Sequence, residues 1–134
     1  MTLVDTNVLL DLVTNDPVWA DWSVAQLEAA SLAGPLLIND VIYAELAVRY
    51  ERIEDLNAFV ETAGLDLTPL PRTALFLASK AFVHYRRAGG SRTGVLPDFF
   101  IGAHAAVEKL TLLTRDVGRY RTYFPTVGLI TPDF

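Results

Sequence analysis

The sequence predicts an α/β fold with a mostly parallel sheet covered by helices on both faces, and three features of its 134 residues carry that expectation. Short apolar runs alternate with longer stretches at helical spacing. Acids or prolines open many of those stretches and glycines close several of them. No repeat, low-complexity tract or linker interrupts the pattern, so residues 1–134 read as a single domain.

"LVDTNVLLDL" (residues 3–12) opens with a short apolar strand that runs through Asp5, Thr6 and Asn7 into a helix. "NDPVWADWSVAQLEAASLAG" predicts a helix with Asp16 as cap, Pro17 in its first turn and Gly34 past its end. "PLLIND" is a second buried strand, "DVIYAELAVRY" the next helix, and "RIEDLNAFVETAG" an amphipathic helix closed by Gly64. "LDLTPL" is a third strand, and "PRTALFLASKAFVHYRRAGG" a long helix with a proline start and a glycine stop. After a loop over "SRTGVLP" come the helix "DFFIGAHAAVEK", the strand "LTLLT", a turn or short helix over "RDVGRYRTYF" and a last strand, "TVGLI". Strands alternating with helices place ligands at the carboxyl ends of the strands.

Composition narrows the chemistry. With no cysteine there is neither a disulfide framework nor a thiolate zinc site, and with two histidines a metal would sit among oxygen ligands. A reducing, cytoplasmic setting is expected, and no stretch approaches the roughly 18 apolar residues of a membrane span. The net charge of −5 conceals an asymmetry. Residues 1–66 hold twelve acids against Arg49 and Arg52, a balance of −10; residues 67–134 hold nine bases against four acids, a balance of +5. Such a division points to a polyanion on one side and a basic partner on the other, or to two halves that neutralise each other.

Asp5 ends the first strand, where an unpaired charge would be costly to desolvate. Asp98 opens a helix that descends about 18 Å. The strand Leu110 to Thr114 climbs about 17 Å back, so Asp116 emerges beside Asp98. Glu45 interrupts a helix stripe formed by Val41, Ile42 and Val48, with Arg49 as a candidate ion-pair partner. Each acid alone has a bland reading as a cap, a first-turn acid or a loop acid. Together, four carboxylates at one end of one sheet, without cysteine or histidine ligands, form a site for a hard cation, Mg²⁺ or Mn²⁺. Such an ion activates water and stabilises developing oxyanions, as phosphodiester cleavage requires.

The motifs "VDTNVLLDL", "YAEL", "LPDFFIGAHA", "LLTRD" and "LITP", in that order, resemble the PIN-domain ribonucleases of the VapC toxin family. The resemblance extends over almost the whole chain. It implies a PIN-like α/β/α sandwich, Mg²⁺-dependent endonucleolytic cleavage of RNA, a homodimer, and inhibition by a small VapB-like antitoxin that offers a basic residue from a segment folding on binding. The family's acids map onto Asp5, Glu45, Asp98 and Asp116, and its supporting polar positions onto Asn7 and Thr114. Asp5, Asp98 and Asp116 are then the expected metal ligands, with Glu45 a ligand of a second metal or the group that orients the attacking water. Arg86, Arg87, Arg92 and Arg115 are candidate contacts to RNA phosphates. His84 and His104 are expected to be structural, and Trp19 and Trp22 to lie in the core.

Two alternatives remain open at this stage: a PIN-type RNA-processing nuclease without an antitoxin, and a non-catalytic module whose acidic pocket receives a basic peptide. A haloacid-dehalogenase-like phosphatase needs a second acid where this chain has Asn7, and a response-regulator receiver needs a late strand-end lysine that the chain lacks.

Overall fold

A computed structural model describes residues 1–92 and 94–132. Its core is a five-stranded, all-parallel sheet of β1 (Thr2–Val4), β2 (Leu36–Ile38), β3 (Leu65–Leu67), β4 (Thr111–Leu113) and β5 (Leu129–Ile130), in the order β3-β2-β1-β4-β5. The strands are short and apolar, and Leu3, Val4, Ile38, Leu112 and Leu113 are fully buried. Parallel strands need crossover connections, and the intervening segments supply them as helices.

The helices are α1 (Thr6–Val13), α2 (Ala20–Ala33), α3 (Asp40–Ala47), α4 (Ile53–Thr62), α5 (Arg72–Arg87), α6 (Leu96–Glu108) and α7 (Gly118–Tyr123). Their buried faces, including Val8, Leu9, Ile42, Leu46, Leu56, Phe99 and Ile101, close over the sheet. α5 packs along α6, and an aromatic cluster of Phe82, Tyr85, Phe99, Tyr123 and Phe124 ties both to α7.

The expected elements are present, with boundary shifts that have local causes. Asp16 accepts hydrogen bonds from the amides of Val18 and Trp19 at 2.9 Å, capping a turn that precedes α2 rather than the helix itself. α6 begins at Leu96, before the proline, since Pro97 needs no amide partner in a first turn. The expected loop over residues 91–97 includes Thr93, which lies outside the described residues. The segment after Asp116 resolves as helix α7. Trp19 and Trp22 are half-buried and meet edge to face at 6.0 Å.

Strand order fixes where a ligand can approach. From β1 the chain moves outward through β2 to β3, then returns to β4 on the other side of β1. The switch in direction lies between β1 and β4, which run in register from Thr2 opposite Thr111 to Val4 opposite Leu113. Crevices at such switch points open outside the carboxyl ends of the strands. The first residues beyond those ends are Asp5 and Thr114.

Candidate active site

Asp5 caps α1, accepting a 2.7 Å bond at Oδ1 from the Thr6 amide, while its own amide donates to the Leu113 carbonyl at 2.9 Å. It is 4% exposed. Oδ2 accepts from Thr114 Oγ1 at 2.7 Å, Tyr120 OH at 2.9 Å and Asn7 Nδ2 at 3.4 Å. Donors from α1, the end of β4 and α7 therefore converge on one carboxylate. Burial pushes its pKa up to about 6 against the pull of the Thr114 and Tyr120 hydroxyls and the Thr6 amide, and the Glu45 charge adds to the rise. In turn, burial and the Asp5 charge hold the Tyr120 phenol well above its ordinary range, so it remains a donor.

Glu45 reaches the same place from α3. Its Oε1 accepts from Thr6 Oγ1 at 2.7 Å, and burial raises its pKa, with the charge of Asp98 contributing. Asp98, in the first turn of α6, is pushed up to about 6 by burial and by Asp5. The Arg119 guanidinium opposes that rise: Nη1 is hydrogen-bonded to Asp98 Oδ2 and lies 3.6 Å from Asp116 Oδ2. Thus all four expected acids share one electrostatic neighbourhood at the switch point. Among the described residues, no three acidic or histidine side chains converge tightly enough to surround an ion; Asp98 and Asp116 instead share Arg119.

Asn7 and Thr114 both hydrogen-bond within the acid cluster. Thr114 Oγ1 donates to Asp5 and accepts from the Asp116 amide at 3.0 Å, so it sets the direction of the loop carrying Asp116. Asn7 Nδ2 lies 3.3 Å from Thr114 Oγ1, and Asn7 Oδ1 accepts from the Arg115 amide at 3.2 Å. A cavity of about 420 Å³ opens beside Asp98 and Asp116, lined also by Arg92, Ser91, Gly94 and Arg119. Arg92 thus faces the acids, and Arg86 and Arg87 are exposed at the end of α5.

Arg115 departs from its expected role as a phosphate contact. Its Nε and Nη2 each donate to the buried carboxylate of Asp11 at 2.8 Å, and its guanidinium stacks 4.9 Å from the Trp19 ring centre. Asp11 also accepts from Ser23 Oγ at 2.7 Å. A guanidinium in a two-pronged bond to a buried acid is committed to holding the loop after β4 against α1 and α2. Glu45, likewise, is held by Thr6 rather than by Arg49.

Both histidines make contacts within the fold. Asn39 caps α3 through Oδ1 and donates from Nδ2 to His104 Nδ1 at 3.0 Å, which places the ring proton on Nε2. Burial lowers the pKa of His104, keeping it neutral as a strut between α3 and α6. His84 is exposed, its ring 5.9 Å from that of Tyr123.

Sequence reading missed three participants: Thr6, Arg119 and Tyr120. A signal existed for two of them. With α7 read as a helix continuing the turn from Asp116, positions three and four residues on are Arg119 and Tyr120, on the same side as the acid.

The family model described as the PIN domain matches residues 2–125. The chain belongs to the PIN domain family. PIN domains are nucleases, which supports a hydrolase acting on nucleic acid. No curated protein matches the chain by sequence. Among solved structures, it resembles VapBC2 from Rickettsia felis bound to a promoter DNA fragment, with a TM-score of 0.75, 18% identity and 98% of each chain covered. It also resembles FitAcB from Neisseria gonorrhoeae, with a TM-score of 0.68, 20% identity and 96% of each chain covered. DNA-bound VapBC from Salmonella typhimurium gives a TM-score of 0.70 at 18% identity, over 97% of this chain and 96% of the other. At these identities the likeness is one of fold. No helix among the described residues is long and apolar enough to cross a membrane.

Proposed function

We propose that this PIN domain, spanning residues 1–134, is a Mg²⁺-dependent endoribonuclease, with Mn²⁺ able to substitute, and the toxin of a VapBC-type toxin-antitoxin pair in the cytoplasm. The observation that carries the reading is the buried carboxylate of Asp5, held by Thr114 and Tyr120 at the sheet's switch point with Glu45, Asp98 and Asp116 around it.

The donor set fits a hard divalent ion: it is all oxygen and acidic, and Oδ1 of Asp5 has one described hydrogen-bond donor for its two lone pairs. Asp5, Asp98 and Asp116 would hold the ion, which would supply an acidified water and positive charge against the developing phosphorane oxygens. The protein's own groups do the rest. Thr114, Tyr120 and Asn7 fix the Asp5 carboxylate so that it need not reorganise during reaction. Glu45, steadied by Thr6, orients the attacking water and takes up its proton, a task suited to a carboxylate whose pKa is raised. Arg92, at the edge of the 420 Å³ cavity, holds a backbone phosphate of the RNA.

The solved neighbours include VapBC assemblies and a toxin-antitoxin complex from Klebsiella pneumoniae, which supports a small VapB-like antitoxin as partner. The exposed Leu75, Phe76 and Val83 along α5 support a homodimer.

The test is RNA cleavage by the purified chain. Cleavage should stop on chelation, return with Mg²⁺ or Mn²⁺, and fall at least about 100-fold in Asp98→Asn, the usual scale for loss of one electrostatic group at a reacting centre. Growth should be arrested by the wild type and not by Asp98→Asn. Cleavage that survives chelation, or an Asp98→Asn variant with wild-type rates, would overturn the proposal, and no cleavage of any RNA would leave the acidic pocket as a peptide-binding module.

A further inference from the structure

We infer that Arg119 is a built-in competitor for the metal: its guanidinium occupies the carboxylate cluster when no divalent ion is bound, and must swing out before the ion can be seated. The inference rests on the reading of that cluster as a metal site. Arg119 Nη1 bonds Asp98 Oδ2 and lies 3.6 Å from Asp116 Oδ2, so one cation already spans two of the three expected ligands. Its side chain is 12% exposed, sunk into the cluster rather than lying over it.

Four physical points follow from that placement. A carboxylate is an acceptor only, and the Asp98 oxygen lone pair engaged by the guanidinium is not available to an ion at the same time. A guanidinium cannot shed its charge at any ordinary pH, so the conflict cannot be relieved by proton loss as it could with histidine. A divalent ion a few ångströms from that fixed charge is repelled within a partly dehydrated pocket, where screening is weak. Without Arg119, Asp98 and Asp116 would face each other and Asp5 uncompensated, so the same contact that obstructs the metal keeps the empty cluster folded.

The route out is present. Arg119 stands on α7, which is six residues long, and it lines the 420 Å³ cavity together with Arg92 and Ser91. The released guanidinium therefore has a solvent-filled space on its open side. Its neighbour Tyr120 stays bonded to Asp5, so the motion is one of the arginine side chain and leaves α7 in place.

The experiment is Mn²⁺ binding, followed by calorimetry and by the electron-spin signal of free Mn²⁺, with full-length wild type, Arg119→Gln and Arg119→Lys in the absence of RNA. Removing a charge held against two carboxylates should tighten Mn²⁺ binding about tenfold in Arg119→Gln, whereas Arg119→Lys should stay within about threefold of wild type. In chelator, Arg119→Gln should melt below the wild type. Equal or weaker Mn²⁺ affinity in Arg119→Gln overturns the inference. A wild-type readout guards against a variant that fails to fold: the Nε–H resonance of Arg119 should move on titration with diamagnetic Mg²⁺, and an unmoved resonance in protein that binds Mg²⁺ also overturns it. If wild-type protein takes up neither ion, the metal-site reading itself falls and this inference falls with it; if the ion binds but Arg119 is indifferent, only the inference falls.

Discussion

Asp5 is ionised at a cost that its three side-chain donors offset only in part. Burial places its folded pKa at about 6, above the ordinary value of 3.8. Between those two values the native chain holds a proton that the unfolded chain has released, so stability decreases as pH rises through this window. The contribution is full below about pH 4 and is lost as pH climbs through 6; at neutral pH the ionised group costs on the order of 3 kcal/mol in the absence of metal. Asp5→Asn keeps the shape and an acceptor oxygen while removing the charge. Its stability relative to wild type in chelator is expected to increase between pH 4.5 and pH 7 and then level off, even as cleavage is lost. Urea unfolding at both pH values measures this, and a pH-independent difference would show that Asp5 is not the titrating group. Asp98 titrates with the same sign, but its exposure and its bond to Arg119 reduce what it adds.

At the scale of elements, the site depends on how closely α6 and α7 approach. Gly102 lies within α6, where a Cβ would meet a Phe124 ring carbon at 2.4 Å. A glycine there forgoes about 1 kcal/mol of helix propensity relative to alanine, so its place is explained by that contact. Gly102→Ala is expected to lower stability by about 1 kcal/mol, the middle of the overpacking range of about 1–3 kcal/mol less the roughly 1 kcal/mol gained in propensity. Cleavage should fall too, since Phe124 ends the helix that carries Arg119 and Tyr120. A variant as stable as wild type in urea would contradict the close-packing account. Much of this level was legible in the sequence: apolar strands, glycine stops at Gly34 and Gly64, and acids after β1 and β4 follow from periodicity and cap chemistry. The approach of α7 was not, because six residues give too little pattern to separate turn from helix. Arg119 and Tyr120 went unread for that reason, and the pairing of Arg115 with Asp11, 104 residues away, leaves no local pattern in the sequence.

Across the whole molecule, the bases of residues 67–134 do not all face outward. Arg119 is held by Asp98 and Asp116, which that half's balance of +5 already counts, but Arg115 is spent on Asp11 of the other half, so the +5 overstates by one the charge it can offer to a polyanion. Among the exposed cations, Arg92 lines the cavity beside Asp98 and Asp116, and Arg86 and Arg87 stand at the end of α5. If RNA crosses this rim, its phosphates meet those side chains before the scissile bond reaches the carboxylates. Each phosphate contact with single-stranded nucleic acid contributes about 0.7 to the slope of log affinity against log salt. In an Asp5→Asn background that does not cut, adding Arg87→Glu and Arg92→Glu should weaken unrelated RNAs alike and flatten that slope by about 1.4. Loss confined to one sequence would mean that these arginines read bases. An unchanged slope, measured by anisotropy of labelled RNA from low to moderate salt, would place the RNA path on another face of the molecule.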